Sequence, residues 1–172
     1  ESSKTWEDGY TSGQRLNLGG KADIENMKNL ISFKTEGAAE VKVWWVEGGD
    51  DNRQLAILNA SGEQVAVTDV TLAKNATCIS SFELAEAGTY YLGGATNNNY
   101  IFKVEVTETK PAEAVVNEYT LETSTLTSFA AGAKKDGDEE SAGTDNFFTA
   151  IYSAKSKIDS SGKTFDDGYQ SS

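Results

Sequence analysis

The chain has 172 residues, 38% of them hydrophobic, and a net charge of −12. Seven Phe, seven Tyr and three Trp supply apolar area for a core in one domain, or one domain plus a fragment. The apolar runs are too short for a membrane-spanning helix, and the negative field repels nucleic acid, anionic lipid and polyanionic sugars, which leaves a neutral partner as the easier match.

The first element in the chain is a motif. Lys4-Thr5-Trp6-Glu7-Asp8-Gly9-Tyr10 returns as Lys163-Thr164-Phe165-Asp166-Asp167-Gly168-Tyr169, identical or exchanged within one class throughout. Serines precede both copies, at Ser2-Ser3 and Ser160-Ser161. Such a repeat outranks local signals because it bears on the whole fold. It predicts the back of one repeat joined to the front of the next, cut inside the shared motif. No charged-apolar-small signal peptide opens the chain, as expected also of a mature fragment excised from something longer.

Residues 30–107 predict a ladder of short strands. Leu30-Ile31-Ser32-Phe33-Lys34-Thr35 alternates after its first residue and is broken at Glu36-Gly37. Strands at residues 40–46, 54–58, 64–68, 77–84, 88–93 and 100–106 follow, with the loop Gly48-Gly49-Asp50-Asp51-Asn52 and the turn Asn59-Ala60-Ser61-Gly62 between them. Short strands with regular turn signals argue an antiparallel β-sandwich. Helix signal is weak, with one turn expected within residues 22–29.

Residues 109–117 carry the only proline, Pro111, and no alternation, so they read as a linker between residues 1–108 and 118–172. Beyond it, residues 118–122, 147–152 and 157–159 predict strands, and the charged stretch from Lys134 to Ser141 a solvated loop. Two or three strands cannot stand alone as an open sheet. Residues 118–172 are therefore expected to fold back onto residues 14–108, completing the all-β, jelly-roll-like sandwich in circularly permuted order. The alternative is a strand-swapped dimer. A connection of about eight residues keeps the effective concentration high and favours the monomer.

Cys78 is the only cysteine, so no internal disulfide forms, and Ala76-Thr77-Cys78-Ile79 reads as a buried strand position. There is no histidine, which removes Ser-His-Asp and Cys-His triads and imidazole zinc sites. Glu7-Asp8, Asp50-Asp51 and Asp166-Asp167 could supply calcium with oxygens, but no spacing matches a calcium hand. They read as solvated turns, with no cofactor expected. They also lack the aromatic cleft of a glycosidase, and no enzymatic activity is expected.

The run Lys-Thr-aromatic-x-Asp-Gly, then Gln14-Arg15-Leu16-Asn17-Leu18-Gly19-Gly20 and Ile31-Ser32-Phe33, resembles a β-sandwich module attached to polysaccharide-degrading enzymes of gut and rumen Firmicutes. Val41-Lys42-Val43-Trp44-Trp45, Arg53-Gln54-Leu55, Ala87-Gly88-Thr89-Tyr90-Tyr91-Leu92-Gly93 and Glu118-Tyr119-Thr120-Leu121 extend the likeness. Such modules accompany pectate lyases and amylases, and several are carbohydrate-binding modules. The resemblance covers most of the chain in permuted order, and its motifs are mainly structural, so sugar specificity does not transfer with them.

A sugar site needs an exposed aromatic face beside planar polar side chains. Alternation puts Val41, Val43 and Trp45 on one face and Lys42, Trp44 and Val46 on the other. Trp45 is therefore expected in the core and Trp44 in solvent as the binding platform. Asp51, Asn52, Arg53 and Gln54 in the following loop, and Asn97-Asn98-Asn99 before Tyr100, add donors and acceptors. Tyr90 and Tyr91 split between faces, with Tyr91 the weaker candidate. Lys42 and Lys34 would suit an anionic sugar, as lysines do in some pectin-binding relatives.

The sequence thus predicts a non-catalytic carbohydrate-binding module, secreted or at the cell surface. It would hold the catalytic domain of a parent enzyme on polysaccharide, with neutral α-glucan (starch) favoured. Pectin binding, or a structural or adhesion spacer repeat without a glycan, is the alternative.

Overall fold

A computed structural model describes residues 3–49, 53–69, 73–109, 116–122, 132–133, 135–142, 147–151 and 157–159. In order, the strands are β1 (Lys4–Thr5), β2 (Thr11–Ser12), β3 (Arg15–Asn17), β4 (Leu30–Thr35), β5 (Ala38–Glu47), β6 (Leu55–Asn59), β7 (Gln64–Val67), β8 (Thr77–Leu84), β9 (Gly88–Gly94) and β10 (Asn99–Thr109). Then come β11 (Val116–Glu122), β12 (Gly132–Ala133), β13 (Glu139–Ala142), β14 (Phe148–Ile151) and β15 (Lys157–Asp159). One seven-stranded sheet runs β12-β15-β3-β10-β5-β8, with β11 also on β10. A six-stranded sheet runs β13-β14-β4-β9-β6-β7, and β1-β2 form a separate hairpin. The strand pairs are antiparallel, and the fold is an all-β sandwich.

The alternation seen in sequence is what builds it. Val41, Val43 and Trp45 of β5, Phe33 of β4, Leu92 of β9 and Phe148 of β14 interdigitate between the sheets and are 0–2% exposed. Each such side chain contributes about 1.5–3 kcal/mol when fully buried. Trp45 stands in the core as alternation predicts, with its Nε1–H donating to Ser80 Oγ at 2.9 Å. Cys78 packs against this core but is half-buried, because among the described residues β8 is the last strand of its sheet.

The C-terminal strands pair with the rest of the chain. In β14, Thr149 lies opposite Ser32, and in β15, Asp159 lies opposite Arg15. Residues 109–117 are not a free linker along their whole length. Thr109 pairs with Val116 as β10 turns into β11, and residues 110–115 lie outside the described residues. Pro111 and the lack of alternation marked the connection but hid the strand ends that flank it. The expected loop from Lys134 to Ser141 also changes. Residues 139–142 form β13, an edge strand on β14 whose Glu139 and Ser141 are exposed. Charged edge strands lack apolar alternation because one side has no partner and solvent covers the other. Residues 22–29 make no helix. Asp23 and Lys28 exchange backbone hydrogen bonds at 3.0 and 2.8 Å around a turn, and Met27 and Asn29 take positive φ of 49° and 60°.

Candidate binding faces

The outer face of the seven-stranded sheet carries Trp44, Val46 and Phe102. Sequence reasoning places Trp44 there in solvent; instead it is 2% exposed. The repeated motif covers it. Trp6 packs edge-on against Phe102 with centroids 4.7 Å apart, and Tyr10 meets Trp44 at 6.1 Å. The Trp6 indole N–H donates to Cys78 O at 3.0 Å, satisfying a polar group that burial would otherwise strand. The hairpin is built for this position. Asp8 Oδ1 accepts the Tyr10 N–H at 3.0 Å, and Gly9 turns with φ +86°. The other carboxylate oxygen, Oδ2, accepts Trp44 Nε1–H at 2.8 Å.

Lys42 stands beside a covered ring and not an open one. Its ammonium lies 5.1 Å from the centroid of Trp44, with Lys103 on the same ring at 4.2 Å. Desolvation is the largest single influence on Asp8 and acts to raise its pKa. The hydrogen bonds from Tyr10 and Trp44, with Lys42 and Lys103 nearby, outweigh it and hold the carboxyl below the usual carboxylate range.

A second group of candidates gathers at one end of the sandwich. Arg53 Nη1 donates to Asn98 O at 2.9 Å and to Asn98 Oδ1. Asn98 Nδ2 donates to Asn17 Oδ1 at 3.2 Å, and Asn97 Oδ1 accepts the Asn98 N–H at 2.9 Å. Asn99 is 3% exposed and donates to Gln54 O at 3.1 Å, while the Gln54 side-chain amide donates to Thr68 O. These side chains brace loops, so the structure brings them together as a frame and not as an open site. Asp51 and Asn52 lie outside the described residues. Glu47, missed in sequence, anchors the frame. It is fully buried, and its Oε1 accepts the Arg53 N–H at 3.1 Å.

The outer face of the six-stranded sheet is different. Register aligns Ser141, Thr149, Ser32, Tyr91, Leu58 and Gln64 as one row across all six strands. Ser141 and Gln64 are exposed, the four between are half-buried, and Ser141 and Thr149 share a hydroxyl hydrogen bond of 3.0 Å. Tyr90, one residue away, points into the core at 7% exposed, which leaves Tyr91 on the solvent side. Lys34 is exposed on the same face, two residues beyond Ser32. A groove of about 570 Å³ adjoins the row, walled by Lys21, Asp23 and Glu25 and floored by Leu58 and Gln64. The loop that walls it lies close on β9 because position 93 is glycine: a Cβ there would sit 2.7 Å from Asn29 O. A rim groove of about 540 Å³ near Val65, Glu83 and Glu86 offers no aromatic face, since Tyr90 there is buried.

Of this row, sequence reasoning named only Tyr91. Ser32, Leu58 and Gln64 sit on three separate strands, and only register makes them neighbours. Their one local signal was outward position in their own alternating strands. A scan against protein-family models and a search of curated proteins find no match to this chain.

Proposed function

We propose that the chain is a non-catalytic carbohydrate-binding module that receives a polysaccharide along the outer face of its six-stranded sheet. One observation carries this reading: the row from Ser141 to Gln64, with the Tyr91 ring at its middle. A tyrosine ring offers an apolar face to sugar C–H groups, and hydroxyl and amide side chains on both sides match sugar hydroxyls. Five strand spacings of about 4.8 Å give a track of roughly 24 Å, long enough for several sugar rings in line.

The net charge of −12 favours a neutral chain, so starch is the first ligand to test. Lys34 beside the row is the feature that supports pectin instead. The chain without histidine supplies no imidazole base, which supports binding without catalysis. In this reading the module works outside the cell, secreted or surface-bound, and holds the catalytic domain of a parent enzyme near its substrate by raising local concentration.

Affinity electrophoresis in gels containing starch, pectin, xylan or β-glucan tests the proposal. Retardation in one gel, abolished by Tyr91→Ala while the protein still unfolds in one cooperative transition, is the expected result. Unchanged mobility in every gel sinks it. The second reading, a structural spacer repeat, is favoured by one observation: Trp6, Trp44 and Trp45 are 3%, 2% and 0% exposed, so no tryptophan is offered to a ligand.

A further inference from the structure

We propose that Glu47 and Asn99 hold a hard metal cation of the calcium class between the two sheets, at the end of the sandwich where the Arg53 frame lies. The inference is independent of any glycan. Two buried oxygens lead to it. Glu47 Oε2 and Asn99 Oδ1 are shut off from solvent and have no hydrogen-bond partner among the described residues. The two residues are 0% and 3% exposed.

Register makes them a pair. Asn99 lies directly opposite Glu47 where β5 and β10 run antiparallel, and opposed residues share one face of a sheet. Trp45 and Ile101, the next residues along on that face, are opposite each other and belong to the main core, so the face is the inner one. Both side chains also lean on the same two residues. Glu47 Oε1 accepts the Arg53 N–H at 3.1 Å, and Asn99 Nδ2 donates to the next carbonyl, Gln54 O, at 3.1 Å. That second bond assigns the amide, since exchanging its ends sets oxygen against oxygen. Each side chain thus has one end tied to residues 53–54 and one oxygen left over.

Both of those oxygens are acceptors. A carboxylate buried with a neutral N–H for its partner carries a charge that burial penalises heavily. The amide oxygen across the strand pair adds partial negative charge and no donor. The Arg53 guanidinium directs Nη1 to Asn98 O and Oδ1. A cation answers both oxygens at once, because calcium takes carboxylate and amide ligands at about 2.3–2.6 Å. Opposed Cα atoms about 4.5–5.5 Å apart bring two such oxygens within reach of one ion. The net charge of −12 raises the local concentration of cations. The ion ties β5 and β10 to the segment that enters β6. A single carboxylate makes a weak site, with a dissociation constant on the order of 10⁻⁴–10⁻³ M.

Thermal unfolding of the full chain, dialysed against EDTA and then titrated with calcium chloride, tests the site. The melting temperature should rise by roughly 3–10 °C at about 10 mM calcium. Magnesium gives up its water reluctantly and controls for general screening of the negative charge, so its effect should be less than half as large. No rise with calcium, the result if a buried water bridges the two oxygens, overturns the proposal. So does an equal rise with both metals. Glu47→Gln removes the charge and turns an N–H toward Asn99 Oδ1. It should melt in EDTA no lower than the parent and lose the calcium response. Asn99→Asp adds a second carboxylate; it should melt lower in EDTA and gain a larger calcium response. A parental response in Glu47→Gln, or one in Asn99→Asp no larger than the parent's, places the ion elsewhere and overturns the proposal.

Discussion

Replacing Trp44 by alanine separates a structural role from a binding role. The ring is 2% exposed and packed among Trp6, Val46 and Phe102. Burial of about 200 Å² at roughly 25 cal/mol per Å² gives about 5 kcal/mol. The cluster lies outside the main core under a small hairpin, which can settle into part of the space, so about 3 kcal/mol is the better figure. The hydrogen bond to Asp8 at 2.8 Å adds about 1 kcal/mol, reduced because the carboxylate regains water when the indole is gone. A loss of about 3–4 kcal/mol in a domain of this size lowers the melting temperature by roughly 6–16 °C. Thermal and urea unfolding followed by near-ultraviolet circular dichroism measure it. Trp44→Phe keeps an aromatic ring but loses the N–H and part of the buried volume, and should cost about 1–2 kcal/mol. A Trp44→Ala protein that melts within about 2 °C of the parent, but is no longer retarded in a polysaccharide gel, would show the reasoning wrong and the ring a sugar platform.

Other consequences follow from the same contacts. Asp8 has its pKa lowered in the folded chain, so its contribution is full above the ordinary carboxylate value of 3.8 and is lost as pH falls through the lower folded value. Acid should therefore expose Trp44 to acrylamide quenching before global unfolding, and Asp8→Asn should flatten that pH dependence; the same acid profile in both proteins would count against it. Gly9→Ala meets no neighbouring atom, so its cost of about 1 kcal/mol is backbone strain alone and should appear in the unfolding midpoint. Gly93→Ala must displace Asn29 O and the methyl of Ala22, which lie 2.7 and 2.9 Å from the new Cβ. It should cost about 1–3 kcal/mol and weaken any glycan binding along the adjoining groove, measured by calorimetry and gel retardation. Tyr91→Ala should cost only about 1–2 kcal/mol, because the ring is half-buried on the solvent face and outside the main core.

Most of the strands were legible because their physics is local. Phe33, Phe82 and Leu84 alternate with polar or small residues, and that period directs them to one buried face. The boundaries of β4, β8 and β15 match the expected spans. The misses also have local causes. β13 is charged and lies on an edge, so nothing in its composition asks for a sheet. The connection after β10 was marked by Pro111, yet Thr109 and Val116 pair across it. Trp44 is the instructive case. Alternation put it on the face opposite Trp45, which is where it stands. Whether water reaches that face depends on Asp8 and Trp6, thirty-odd residues away, and no local pattern encodes their arrival.

By itself the sequence determined the class of fold, the core positions within each strand, the absence of imidazole chemistry and the doubled motif. These depend on period, composition and identity, which can be read along the chain. The tertiary structure alone decided which faces are covered and which side chains become neighbours. It closed the tryptophan face with the repeated motif and turned Arg53 and the asparagines into a frame. It also aligned Tyr91 with Ser32 and Leu58 across strands far apart in the chain. Those outcomes rest on register and on long-range packing, where a side chain's environment is set by whatever the fold brings to it.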